Sequence, residues 1–146
     1  MDTLGILTGI LQGDFISRFG VGDTWALYFR SYILVAHDII SEDEILITKG
    51  LKDNYPSYQN CVDQDYISKS AVVAAHMRKE VVGLKLDQVG NLTIEFAGDS
   101  KLIIPATVDI VDWQWCLNRT GNDPYQDYYV ACFGQGEIRV NQEYSS

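Results

Sequence analysis

Few residues in this chain have the type and spacing that chemistry requires. His37 and Asp38 are neighbours, and neighbours on a strand point to opposite faces, so they do not make a base and its orienting partner. Cys61 and His76 are a nucleophile and a base that a fold can bring together. Acyl transfer would also need a third group and an oxyanion site, and nothing in the sequence announces either. The competing expectation is a partly buried cysteine and a surface histidine. Asp109 and Asp112 are carboxylates of the kind used for acid/base or metal work, yet they face opposite ways on a regular strand. With two histidines and no paired His or Cys spacing, a transition-metal site is not expected. Gly5, Gly9, Gly13, Gly20, Gly22, Gly134 and Gly136 match neither glycine pattern that cradles phosphates at a helix start and read as turn glycines. The sequence therefore predicts a protein that is not an enzyme and that holds no cofactor and no metal.

Two segments carry candidate binding residues. From Asp112 to Tyr129 the chain combines two tryptophans, three tyrosines and three carboxylates in eighteen positions. Rings supply contact area at low entropic cost, and carboxylates pair with arginine or lysine of a partner. Asp112, Trp113, Trp115, Asp123, Tyr125 and Asp127 are the partner-binding candidates there. The alternative puts Trp113 and Trp115 in the core and leaves the loop merely solvated. The second segment holds Asp38, Glu42, Asp43 and Glu44, four carboxylates in seven residues, with a solvated turn as its alternative.

The elements that position these residues follow from a pattern that occurs twice. Val21-Gly22-Asp23 precedes Trp25, Leu27 and Phe29, and Val89-Gly90-Asn91 precedes Leu92, Ile94 and Phe96, so each Gly-Asx turn feeds a strand with large apolar groups on one face. The first unit runs through Phe15–Phe19, Thr24–Arg30 and Tyr32–His37. The second runs through Val82, Leu84 and Leu86, then Leu92–Phe96 and Lys101–Ile104. A strand over Thr107–Leu117 is expected to put Trp113, Trp115 and Leu117 on one side, and a last hairpin pairs Tyr128–Phe133 with Glu137–Val140. Residues 66–77 predict a helix with a stripe of Ile67, Ala71, Ala74 and Ala75, capped by Asp63 or Asp65. Residues 3–12 fit a short helix or a loose strand. Ser41 and Glu44 form a capping-box pattern, but Ile45-Leu46-Ile47 is β-prone, so a helix and a turn into a strand both fit. The predicted fold is α+β, mainly antiparallel β: two similar three-stranded meanders forming a curved sheet around one helix. It is expected as a single domain over 1–146, with repeat-like halves at about 12–48 and 79–117 and a C-terminal hairpin at 128–140.

Composition bounds the function. The 146 residues are 47% hydrophobic and 21% charged, which suits one soluble core. The N-terminal apolar stretch lacks a preceding basic region, no run reaches the length of a membrane span, and three cysteines at irregular spacing suggest a reducing compartment. The expectation is a cytoplasmic protein. Asn91-Leu92-Thr93 and Asn118-Arg119-Thr120 are then coincidental glycosylation triplets. The formal charge of −9 is uneven: residues 1–50 hold seven acids and three bases, 51–101 seven and six, and 102–146 six and two. Such a field repels nucleic acid and anionic membranes and attracts a basic macromolecule.

In its small size, acidity, repeated strand-turn-strand units and aromatic/acidic segment, the chain resembles the immunity proteins of bacterial polymorphic-toxin and contact-dependent growth inhibition systems. The resemblance implies a rigid surface that neutralises a basic toxin domain, often a nuclease; the chain itself is expected as a monomer or homodimer. A second expectation is a small-ligand-binding or enzymatic β-domain with a pocket lined by Trp25, Phe29, Phe96 and Trp113. A third is a structural or oligomerisation module pairing through exposed strands such as Glu137–Val140.

Overall fold

Apolar alternation with short turns produces strands wherever it is sustained, and in a computed structural model these strands sort into two sheets. The structure describes residues 2–110, 112–121 and 128–141. Among them are three α-helices, α1 (Thr3–Leu11), α2 (Glu44–Asn54) and α3 (Gln64–His76), and nine strands. The strands are β1 (Arg18–Val21), β2 (Trp25–Tyr28), β3 (Tyr32–Ala36), β4 (Val81–Leu86), β5 (Leu92–Phe96), β6 (Ser100–Ile104), β7 (Trp115–Arg119), β8 (Val130–Cys132) and β9 (Ile138–Val140). The fold is α+β with antiparallel pairing, and both three-stranded meanders are present. They belong to separate sheets. The first meander continues into β7, β8 and β9 to make six strands in the order β1-β2-β3-β7-β8-β9, while β4-β5-β6 stands as a three-stranded sheet.

One apolar cluster joins both sheets to the helices. It draws on Leu7 and Leu11 of α1, Trp25 and Leu27 of β2, Val72 and Val73 of α3, Ile94 and Phe96 of β5, and Trp115 and Leu117 of β7. Helix α1 forms despite Gly5 and Gly9 because Asp2 caps it, accepting from Gly5 N at 2.7 Å, and because Leu7 and Leu11 are buried at helical spacing. Both glycines are therefore helical rather than turn residues.

Helix α3 is the expected one, but its phase differs. Ser68, Val72, Val73 and His76 face inward, while Ala71, Ala74 and Ala75 are exposed. Larger side chains on the inward face fill more of the core than an alanine stripe would. Asp63 stands at the N-cap position without a side-chain capping bond. The segment after Ser41 resolves to helix. The Glu44 carboxylate returns to Ser41 N at 2.9 Å, and Ser41 Oγ accepts from Asp43 N at 3.1 Å.

The expected strand over 107–117 starts only at Trp115. The Gln114 side-chain amide accepts from Val108 N and donates to Val108 O, both at 2.9 Å, and so ties Val108 to Gln114 by side-chain bonds instead of a strand ladder. Trp113 consequently lies on the opposite side of the sheet from Trp115 and Leu117, in a smaller cluster with Val35, Cys116 and Ala131. In β4 a register shift between Val81 and Gly83 breaks the expected alternation, burying Val81 and Leu84 and exposing Val82.

Candidate functional site

The four carboxylates of the segment from Asp38 to Glu44 divide into two pairs with different work. Asp38 and Glu44 turn inward to Lys69 of α3, whose ammonium lies 3.0 Å from Asp38 Oδ1 and 3.1 Å from Glu44 Oε1 and also donates to Ile39 O. Burial alone would lower the Lys69 pKa, but the hydrogen bonds and charges of Asp38 and Glu44 outweigh it and hold it above the ordinary lysine value. Glu44 thereby staples α2 to α3, and Asp38 ties the connection after β3 to the same lysine. Glu42 and Asp43 point outward, and the one partner of Glu42 among the described residues is the exposed Lys101 at 3.7 Å. A pair this open contributes little and exchanges readily for another cation.

Helix periodicity decides what lies beside them. Glu44, Ile47, Thr48 and Leu51 follow an i, i+3, i+4, i+7 stripe and are all half-buried, with Thr48 Oγ1 2.7 Å from Ser68 Oγ of α3. Ile45 and Leu46 are about 200° and 100° away from Ile47 on the helix wheel. They are turned to solvent, with 79% and 73% of their surface exposed. Tyr55 at the end of α2, Val62 in the connection and Tyr66 on α3 are also exposed, Val62 at 94%. Of the ten exposed large hydrophobics among the described residues, six fall between Ile40 and Tyr66. An unbroken apolar triplet at the start of a helix was the available signal, because three consecutive large residues cannot all occupy one face.

The aromatic/acidic segment behaves differently. Trp115 is fully buried, and its indole N–H donates to Gly90 O at 2.8 Å. Trp113 is buried too, its ring 4.9 Å from His37. Both tryptophans are interior packing residues, Trp115 in the main core and Trp113 in the smaller cluster, which removes them as surface anchors. Asp112 is exposed, with Oδ1 accepting from Trp113 N at 2.8 Å. Asp123, Tyr125 and Asp127 lie outside the described residues. The structure thus brings Glu42 and Asp43 together with Ile45 and Leu46.

No catalytic constellation assembles from the candidates. Cys61 precedes α3 and His76 ends it, so the helix keeps them roughly 20 Å apart. His76 is buried rather than on the surface: Nδ1 donates to Val72 O at 2.7 Å, and the ring packs 5.0 Å from Phe96. His37 packs on Trp113 while Asp38 bonds Lys69, as opposite-facing neighbours do. Among the described residues no group of His, Cys, Asp or Glu is placed to hold a metal ion. Trp25, Phe29 and Phe96 sit in the main core and Trp113 in the smaller cluster, so these rings do not line a common pocket. Among the described residues no helix is long and apolar enough to cross a membrane.

In comparison with known proteins, no family model matches the chain, and no curated protein or solved structure is significantly similar to it.

Proposed function

We propose that this chain is a non-catalytic binding protein whose α2 face, Ile45 and Leu46 beside Glu42 and Asp43, docks a basic partner protein. The observation that carries this reading is the exposure of two adjacent large aliphatic side chains next to outward carboxylates, on a helix whose inward face is already engaged. Burying an isoleucine or leucine side chain stabilises by about 1.5 to 3 kcal/mol, so the pair makes a compact anchor. The rim carboxylates favour a cationic partner, and the net charge of −9 steers its approach. A toxin domain of nuclease type, neutralised as immunity proteins neutralise theirs, has the required basic surface. A cytoplasmic setting suits Cys61, Cys116 and Cys132, which form no disulfide.

The test is capture from native cytosol with the tagged chain and with an Ile45→Ser/Leu46→Ser variant, at low and then high salt. The reading requires a basic protein that the parent chain retains at low salt and that the variant does not retain. Equal retention by both chains would remove this face from the interface.

A further inference from the structure

Among the described residues, the outer face of the six-stranded sheet is covered over only part of its area. Trp113, Tyr128 and Phe133 close over Val35, Cys116 and Ala131. Beyond them, toward β1, lies a cavity of about 470 Å³, within the range of small-molecule sites. Its floor is aliphatic, formed by Ala26, Ile33 and Val35, and Thr24 and Thr120 stand in its lining. Arg18 and Tyr28 complete it and are direct cross-strand partners.

We propose that this cavity binds a small organic monoanion, an apolar body bearing one carboxylate or sulfonate. The Arg18 guanidinium lies 4.0 Å from the centre of the Tyr28 ring. This contact occupies the π face of the guanidinium and leaves its in-plane N–H donors for anionic oxygens. Among the described residues Arg18 has no carboxylate partner, so its charge is not already balanced by a neighbouring side chain. The charge of the lining points the same way. Three other cavities among the described residues carry carboxylates: Asp63 and Asp65 in one, Glu42, Glu95 and Asp99 in another, Asp109 in the third. The Arg18 cavity has none among its described lining residues. A single arginine balances one negative charge, and the chain's charge of −9 works against polyanions such as nucleotides. The aliphatic floor takes the apolar part of the ligand.

The test is an amide-resolved NMR titration of the full chain with 2-naphthoate, repeated with its neutral analogue 2-naphthalenemethanol and with the Arg18→Gln variant. Saturable shifts confined to the lining residues, from Arg18 and Tyr28 to Ile33, Val35 and Gly121, are expected. Loss of the ligand's charge or of the guanidinium should each weaken binding about tenfold or more, as removal of a charge-assisted contact does. Arg18 is exposed on an edge strand, so the variant is expected to keep the parent spectrum elsewhere. The neutral analogue tests the charge requirement without any substitution. No saturable shift at millimolar probe, shifts centred elsewhere, or equal affinity for the neutral analogue would each overturn the proposal.

Discussion

The indole N–H of Trp115 donates to the carbonyl oxygen of Gly90 at 2.8 Å, joining β7 of the six-stranded sheet to the turn between β4 and β5 of the other. Both groups are buried, so the bond is made where water cannot replace it. Trp115→Phe keeps most of the buried ring but leaves the Gly90 carbonyl without its strongest donor, and should cost about 1 to 3 kcal/mol. Trp115→Ala also empties the site and should cost roughly 3 to 5 kcal/mol. Urea unfolding monitored by circular dichroism measures both. A phenylalanine variant with an unchanged midpoint would show that the bond contributes nothing to holding the sheets together.

Gly90 in this turn and Gly13 after α1 differ in what they demand of a side chain. Gly90 and Gly13 both have a left-handed backbone, with φ of 94° and 88°. A methyl group on Gly13 meets nothing within 4 Å, whereas one on Gly90 would overlap the Cys132 sulfur and approach Ala106 Cβ at 3.3 Å. Gly13→Ala should therefore cost only the conformational strain, about 1 to 2 kcal/mol. Gly90→Ala should cost distinctly more, because packing against Cys132 must also yield. Similar melting temperatures for the two variants would contradict the close approach of the β4–β5 turn to β8.

What could be read from the sequence followed the range of the interaction. Strands β2, β3, β5 and β6 and the final hairpin were legible because Trp25, Leu27 and Phe29, or Leu92, Ile94 and Phe96, alternate over a local stretch, whereas β1 begins three residues later than the expected Phe15–Phe19 and takes in Gly20 and Val21, and β4 carries a register shift. The separation into two sheets was not, since it depends on β3 pairing with β7 across some eighty residues, and the α3 phase turned on whether Val72 and Val73 or the alanines found the core. In the candidate site, the acidic cluster was visible as composition, but the inward duty of Asp38 and Glu44 depends on Lys69, 25 or more residues away. Ile45 and Leu46 were hidden by their β propensity, which the capping of Ser41 and Glu44 overrides.

Lys69 gives a pH-dependent prediction. Its pKa is raised on folding by Asp38 and Glu44 against the opposing effect of burial. A cation with a raised folded pKa contributes its full stabilisation below the unfolded value, near 10.5, and loses it as pH rises through the folded value. Lys69→Met should lower stability at neutral pH, because two carboxylates and the Ile39 carbonyl lose their donor. The gap between parent and variant should stay level from pH 7 to 9 and narrow in strongly alkaline solution. Chemical denaturation at several pH values gives the comparison, and a gap that widened above pH 10 would refute this account.

The cysteines should separate by reactivity. Burial, with a contribution from Asp112, pushes the Cys116 thiol up to about 12. Burial, with a contribution from Asp87, pushes Cys132 up to about 11. Cys61 is partly exposed in the connection before α3. A thiol-specific disulfide reagent at pH 8 should modify Cys61 in the folded protein and reach Cys116 and Cys132 only on unfolding, because the thiolate is the reacting species. Mass mapping of the modified sites provides the readout. Rapid labelling of Cys132 in the native state would mean that the contact with the Gly90 turn opens freely.

Charge and apolar contact at the α2 face should divide the kinetics of partner binding. Glu42→Lys/Asp43→Lys replaces outward carboxylates that hold no core contact, so the fold should persist and the association rate should fall, most clearly at low salt. Ile45→Ser/Leu46→Ser removes the anchor and should act chiefly on dissociation, since losses of buried interface area appear in the off-rate. Ile45→Ser/Leu46→Ser should leave the melting temperature nearly unchanged because the pair faces solvent, while Glu42→Lys/Asp43→Lys should lower it only modestly, through positive charge at the α2 N-terminus and loss of the open Lys101 pair. The contrasting control is Glu44→Gln, which weakens the Lys69 staple and should lower thermal stability. Surface-plasmon measurements on the captured partner separate the two rates. An association rate indifferent to the lysine substitutions across the salt series would mean that the carboxylates do not steer the partner, even if the aliphatic pair anchors it.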